Sequence, residues 1–184
     1  MSYDISLKDR VTGKTLMAET EHMMRGGTYA MNGTREMWLN ITWNYASYYY
    51  DATEGDERFA NDGGNGEIRY GIRGIYGKSG AESIPMLKDM IARIEAKYKA
   101  NGEWITTTRK KQRWFDKNGT EIEYGKALSA MLRGGKVQSE SYEIEVNEGP
   151  NEDYWEPTAG NAIKPLYSLM AMAQMFPDGE WEGD

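Results

Sequence analysis

The sequence predicts an α+β fold, with small antiparallel strands and hairpins and three to four helices in a single compact domain spanning residues 1–184. Three observations predict it. Apolar residues recur every three or four positions from Ile84 to Tyr98. Apolar and acidic residues alternate from Tyr142 to Val146. Asn118-Gly119 separates two short β-prone runs. Connections between these periodic segments are short, which favours α+β. The chain has 184 residues, 39% hydrophobic and 28% charged, so it can build a core and is too balanced for disorder.

Tyr3–Lys8 alternates, a turn-like stretch follows, and Thr15–Glu19 reads as the returning strand of an N-terminal hairpin. Met23–Gly33 is glycine-rich and reads as a loop. In Thr34–Asp51, Trp38, Ile41, Thr42, Tyr45, Tyr48 and Tyr49 recur at helical spacing. The β-branched and aromatic content also suits a strand, and length selects the helix. Residues 52–67 are polar and rich in Gly, Asn and Asp, a mobile loop. Glu82–Lys99 is the clearest helix, with Ser79 and Glu82 spaced as a capping box and Asn101-Gly102 ending it.

Trp104–Arg109 is β-prone, and Trp114–Ile122 predicts a hairpin because Asn-Gly accepts positive φ. Tyr124–Arg133 is a short helix closed by Gly134-Gly135. Val137–Val146 is an antiparallel strand with one wet side, and Asn147–Pro157 an acidic loop. Thr158 or Asn161 starts a last helix, which Phe176-Pro177 terminates. The acidic tail, residues 180–184, is expected to fray.

Composition removes several chemistries. There is no cysteine, hence no disulfide, thiolate zinc site or thiol nucleophile. The one histidine, His22, has no serine-nucleophile motif beside it. Asp56-Glu57 and Glu152-Asp153 lack calcium-loop spacing. No catalytic set assembles, so the expectation is a binding protein without cofactor or metal, not an enzyme. No run reaches the ~18 apolar residues of a membrane span, and no secretion signal opens the chain.

Net charge is −7, which disfavours long nucleic acid, but it is unevenly spread. Residues 1–68 are net −5, residues 69–113 net +7 and residues 114–184 net −9. Seven acidic residues and no basic one lie between Glu140 and Glu156. Thirteen tyrosines and six tryptophans outnumber three phenylalanines, so most rings carry a polar handle.

The basic block opens with Arg69-Tyr70-Gly71-Ile72-Arg73-Gly74-Ile75-Tyr76-Gly77-Lys78-Ser79-Gly80. Glycine every third residue lets backbone N–H groups approach an anion, and the following helix adds a favourable partial charge. Arginine grips phosphate and tyrosine stacks on bases. Position 72 is isoleucine where a P-loop needs glycine, so this is a different device. The bland alternative is a tight strand-to-helix connection. Arg69, Arg73 and Lys78 are the candidate phosphate ligands, with Tyr70, Tyr76 and Trp43 for stacking or edge contacts, and Ser79 at the helix start. The second basic run, Arg109–Arg113, reads as an exposed hairpin arm or a dock for acidic residues.

Three stretches, Met24–Tyr29, Trp38–Tyr45 and Asp153–Ala162, together with Gly179 through the acidic end, resemble a family of small uncharacterised bacteriophage and prophage proteins. The resemblance implies a viral accessory protein in a bacterial host's cytoplasm. In that setting it suggests a homo-oligomer that sequesters a small anionic nucleotide signal, a cyclic oligonucleotide or ADP-ribose derivative, to counter anti-phage defence. Two alternatives are an acidic inhibitor imitating nucleic acid, built on Glu143, Glu145, Glu148 and Glu152, and a phage structural or assembly protein.

Overall fold

The computed structural model describes residues 2–22, 33–63 and 66–184. The glycine-rich stretch from Met23, with the Met24–Tyr29 motif, lies outside them. The elements are β1 (Ser2–Lys8), β2 (Met17–His22), β3 (Thr34–Glu36), β4 (Trp38–Thr42), α1 (Ala46–Thr53), β5 (Asn61–Asp62), β6 (Ile68–Arg69) and α2 (Gly80–Tyr98). They continue with β7 (Trp104–Phe115), β8 (Glu121–Ile122), α3 (Tyr124–Leu132), β9 (Gln138–Asn147), α4 (Ala159–Met175) and β10 (Glu180–Gly183). The fold is α+β, and every strand pairing in it is antiparallel. Contacts divide the chain into two units, residues 1–103 with 148–184, and residues 104–147. Among the described residues, no helix is long and apolar enough to cross a membrane.

In the first unit, β1 is the middle strand of a sheet ordered β10-β1-β4. Its alternation buries Tyr3, Ile5 and Leu7 against a core that includes Leu39, Ile41, Tyr45, Tyr48, Tyr49, Leu87, Ile94 and Leu169. The expected N-terminal hairpin is corrected: only a Lys8–Thr15 bridge links its arms, and β2 pairs with β3. β2 carries Glu19 and Glu21 and is mostly exposed, so it has no apolar face with which to join the buried sheet.

The helix expected over Thr34–Asp51 is corrected too. Its first part forms β3 and β4, and β4 pairs with β1 from Ser2–Thr42 to Ser6–Trp38. Here the β-branched and aromatic content outweighs the spacing. Thr42 then caps a single 3-10 turn, accepting the Asn44 N–H at 3.3 Å, and α1 begins at Ala46. Residues 52–67 are not wholly loop. They hold the end of α1, a 3-10 turn at Glu57–Phe59 with Phe59 buried, and β5, which pairs with β6.

Helix α2 starts as expected. Glu82 N–H donates to Ser79 Oγ at 3.2 Å, and Ser79 N–H donates to the Glu82 carboxylate at 2.7 Å. Thr158 caps α4, accepting the Asn161 N–H at 3.1 Å. The fraying tail is corrected as well. Residues 180–183 form β10 beside β1, and Trp181 is 1% exposed, its indole N–H donating to Ser83 Oγ at 2.8 Å. Burying one large ring holds a strand that its acidic neighbours alone would not.

The second unit is a ribbon of β7 and β9, in register from Trp104–Asn147 to Phe115–Gln138 with a shift between Thr107 and Lys110. At its far end the predicted Asn-Gly turn returns the chain to β8, with Gly119 at φ +78°. The register sets Arg113 opposite Glu140 and Lys110 opposite Glu143. Arg113 thus faces the acidic strand of its own sheet, where opposite charges are favourable.

Candidate functional site

Residues 69–80 run from β6 through a 3-10 turn at Ile72–Ile75 into α2. Two of their glycines, Gly74 and Gly80, answer to packing. A Cβ on Gly74 would stand 2.4 Å from Phe59 Cα, and one on Gly80 would stand 2.5 Å from the Phe176 carbonyl oxygen. Both distances are far inside van der Waals contact, so a side chain at either place would force the backbones apart.

Five backbone donors of this segment are already spent. Gly74 N–H goes to Gly71, Tyr76 to Arg73, Gly77 to Trp181, Lys78 to Ile75 and Gly80 to Gly179. These five N–H groups are therefore taken up by the strand-to-helix connection itself. Ser79 belongs to that connection, because both its N–H and its hydroxyl face the Glu82 carboxylate at 2.7 Å. Anion contact here falls to side chains.

The other six candidates divide between two recesses. Arg73, Tyr76 and Lys78 line the larger, about 710 Å³, together with Arg58 and the carboxylates of Glu57, Asp62, Glu82 and Asp184. Trp43, Arg69 and Tyr70 line the smaller, about 440 Å³, with Tyr50, Asp51 and Glu54. Arg73 of the larger recess lies over Trp43 of the smaller. Its guanidinium lies 5.6 Å from the Trp43 ring centroid and 5.4 Å from that of Tyr3. Its Nε donates to the Asp184 backbone oxygen at 2.8 Å. Trp43 stacks on Tyr3 with centroids 4.8 Å apart, so one of its faces is covered.

The remaining side chains differ in availability. Arg58 is held by Asp56 and Asp89. The Lys78 side chain is exposed and makes no hydrogen bond or ion pair among the described residues, whereas Arg69 reaches Glu67 at 3.6 Å on the surface. Burial pushes the Tyr76 hydroxyl up to about 12, against the pull of Arg73. It is a phenol at neutral pH and serves as a donor, not a base.

The aromatic excess has mostly another use. Tyr49 Oη donates to the Ala162 carbonyl at 2.8 Å, and Tyr45 Oη donates to the Tyr154 carbonyl. Tyr48 Oη lies 2.6 Å from a Glu148 carboxylate oxygen and 2.6 Å from the Pro157 carbonyl oxygen. Thr42 N–H donates to Tyr154 Oη at 2.7 Å, and Asn44 Nδ2 donates to the Trp155 carbonyl at 2.8 Å. Two stretches of the chain, 38–45 and 153–162, are therefore fastened to each other. They hold the fold, and the recesses lie elsewhere, apart from the shared Trp43.

Sequence reasoning missed the interior roles of Glu148 and Asn161. Glu148 is fully buried, and its carboxylate accepts the Ala159 N–H at 2.7 Å, at the start of α4, where negative charge is favoured. Asn161 Nδ2 donates to Asn151 Oδ1 and to the carbonyls of Asp153 and Glu156. No local pattern distinguishes an interior carboxylate within an acidic run. Of the acids offered for an inhibitor surface, Glu143, Glu145 and Glu152 are exposed, and Glu148 belongs to the interior. Among the described residues, no group of three or more His, Asp or Glu side chains could hold a metal ion.

Comparison with known protein families, with curated proteins and with solved structures finds no match to this chain.

Proposed function

We propose that the chain binds a small nucleotide of low charge and retains it without cleavage. The observation that supports this reading is the meeting of Arg73, at the edge of one recess, with Trp43, at the edge of the other. Arg73 lines the charged recess and stacks on Trp43, which lines the aromatic one. A base resting among Trp43, Tyr50 and Tyr70 would have its phosphate within reach of this edge, with Lys78 as the second cation. Base stacking and charge-assisted hydrogen bonds supply affinity by separate routes.

The carboxylates narrow the ligand. Four acidic and three basic side chains line the larger recess, and two acidic and one basic line the smaller. Such linings repel triphosphates and long polyanions. They accept hydrogen bonds from exocyclic amines and ribose hydroxyls. Cyclic oligonucleotides and ADP-ribose derivatives, with few charges per base, fit this chemistry. In the phage setting that the sequence resemblance implies, retention would lower the concentration of such a signal in the host.

Titration calorimetry with cyclic dinucleotides, cyclic trinucleotides and ADP-ribose tests the reading. We expect saturable heat with at least one. Lys78→Ala then weakens binding about tenfold, as loss of a charge-assisted hydrogen bond does. Absence of heat with every compound, at micromolar protein, sinks the proposal.

A further inference from the structure

The second unit presents a surface with a different use. Helix α3 carries Tyr124, Leu128, Met131 and Leu132, spaced i, i+4, i+7 and i+8 on one side. They are 59%, 41%, 39% and 80% exposed. Ala127 is the only buried hydrophobic residue among the described residues of this unit. A module near ~40 residues with so small a core ordinarily relies on disulfides, metal or association. The chain has no cysteine, and no metal cluster is found among the described residues. Association remains.

We propose that α3 is the contact surface of a two-fold dimer of this chain. Charge selects the second copy as the occupant. Glu121 and Glu123 precede the helix, and Arg133 and Lys136 follow it; all four are exposed and outside any ion pair among the described residues. Two α3 helices packed antiparallel set the acidic start of each beside the basic end of the other. A two-fold axis generates that arrangement twice.

The area is sufficient. Covering the four apolar side chains removes roughly 400 Å² per chain, given ~150–250 Å² for a whole aromatic ring. At the ~65% apolar share of homodimer interfaces, this corresponds to about 600 Å² per chain and about 1,200 Å² in all, the lower edge of a stable interface. The contact is independent of the nucleotide reading, whose recesses lie in the first unit.

Sedimentation velocity of the full chain over a concentration series is the first measurement. We expect dimer, and we expect monomer for Leu128→Lys/Leu132→Lys with its circular dichroism unchanged. Reversing Arg133→Glu and Lys136→Glu weakens the dimer, and adding Glu121→Lys and Glu123→Lys restores it. The absence of native cysteine allows a second readout that needs no disruptive change. Leu128→Cys, at the helix midpoint, should form a covalent dimer with a short bis-maleimide, and Val11→Cys, 92% exposed on the first unit, should not. A monomeric wild-type chain at every concentration overturns the proposal. So does a dimer that survives Leu128→Lys/Leu132→Lys, or equal cross-linking at the two cysteines.

Discussion

The two units solve the problem of stability differently. The first closes a sheet and two long helices over a continuous core, in which Tyr3, Tyr45, Tyr48, Tyr49, Phe59 and Trp181 are all nearly inaccessible. The second buries little beyond Ala127 and depends on a long antiparallel ladder between β7 and β9. The same aromatic-rich composition therefore serves two ends. In the first unit rings fill space and spend their polar handles on backbone carbonyls. In the second, apolar side chains on α3 stay at the surface, where they suit another molecule.

The largest expected effect comes from emptying the first unit. Trp181→Ala should cost about 3–5 kcal/mol in urea unfolding, the range for deleting a buried large ring. A loss below about 1 kcal/mol would mean that β10 is dispensable and the contrast between units overstated. Val11, 92% exposed and outside the α3 surface, is the natural reference, since surface truncations usually stay within about 0.5 kcal/mol.

An intermediate effect belongs to the capping box. Ser79→Ala should destabilise the chain by about 1 kcal/mol in thermal unfolding. A larger drop in nucleotide affinity than in stability would return Ser79 to the ligand site, contrary to its placement as a cap. The smallest effect lies in the ribbon. Glu140→Lys sets like charges opposite Arg113 and should cost about 0.2–1 kcal/mol, read from hydrogen exchange along β7. Unchanged protection would show that cross-strand charge contributes nothing to the second unit.

What the sequence disclosed was local. The Ser79–Glu82 box, the stripe from Ile84 to Tyr98 and the Asn118-Gly119 turn each carry their signal within a few residues, and all three form. The Trp38–Thr42 strand escaped because its aromatic spacing imitates a helix, and only the facing β1 decides against it. β10 escaped because Glu180, Glu182 and Asp184 read as a solvated tail unless Trp181 is known to have a cavity to fill. The glycines at 74 and 80 suggested an anion loop. Their actual cause is close approach to Phe59 and Phe176, residues that no local window contains. The candidate cations were legible as a basic cluster, but their division between two recesses follows from how the segment turns.

The position of β1 also sets an order of assembly. Its Ser2–Asn40 contact to β4 spans 38 positions, whereas its Lys8–Glu182 contact to β10 spans 174. Loops this unequal close at very different entropic cost, and distant pairings form late. During synthesis, β1 and β4 can meet early, while the other edge of β1 waits for Trp181 to leave the ribosome. Until then the sheet has an open hydrogen-bonding edge beside Ile5 and Leu7. A chain halted before β10 is therefore the form of this protein most exposed to aggregation.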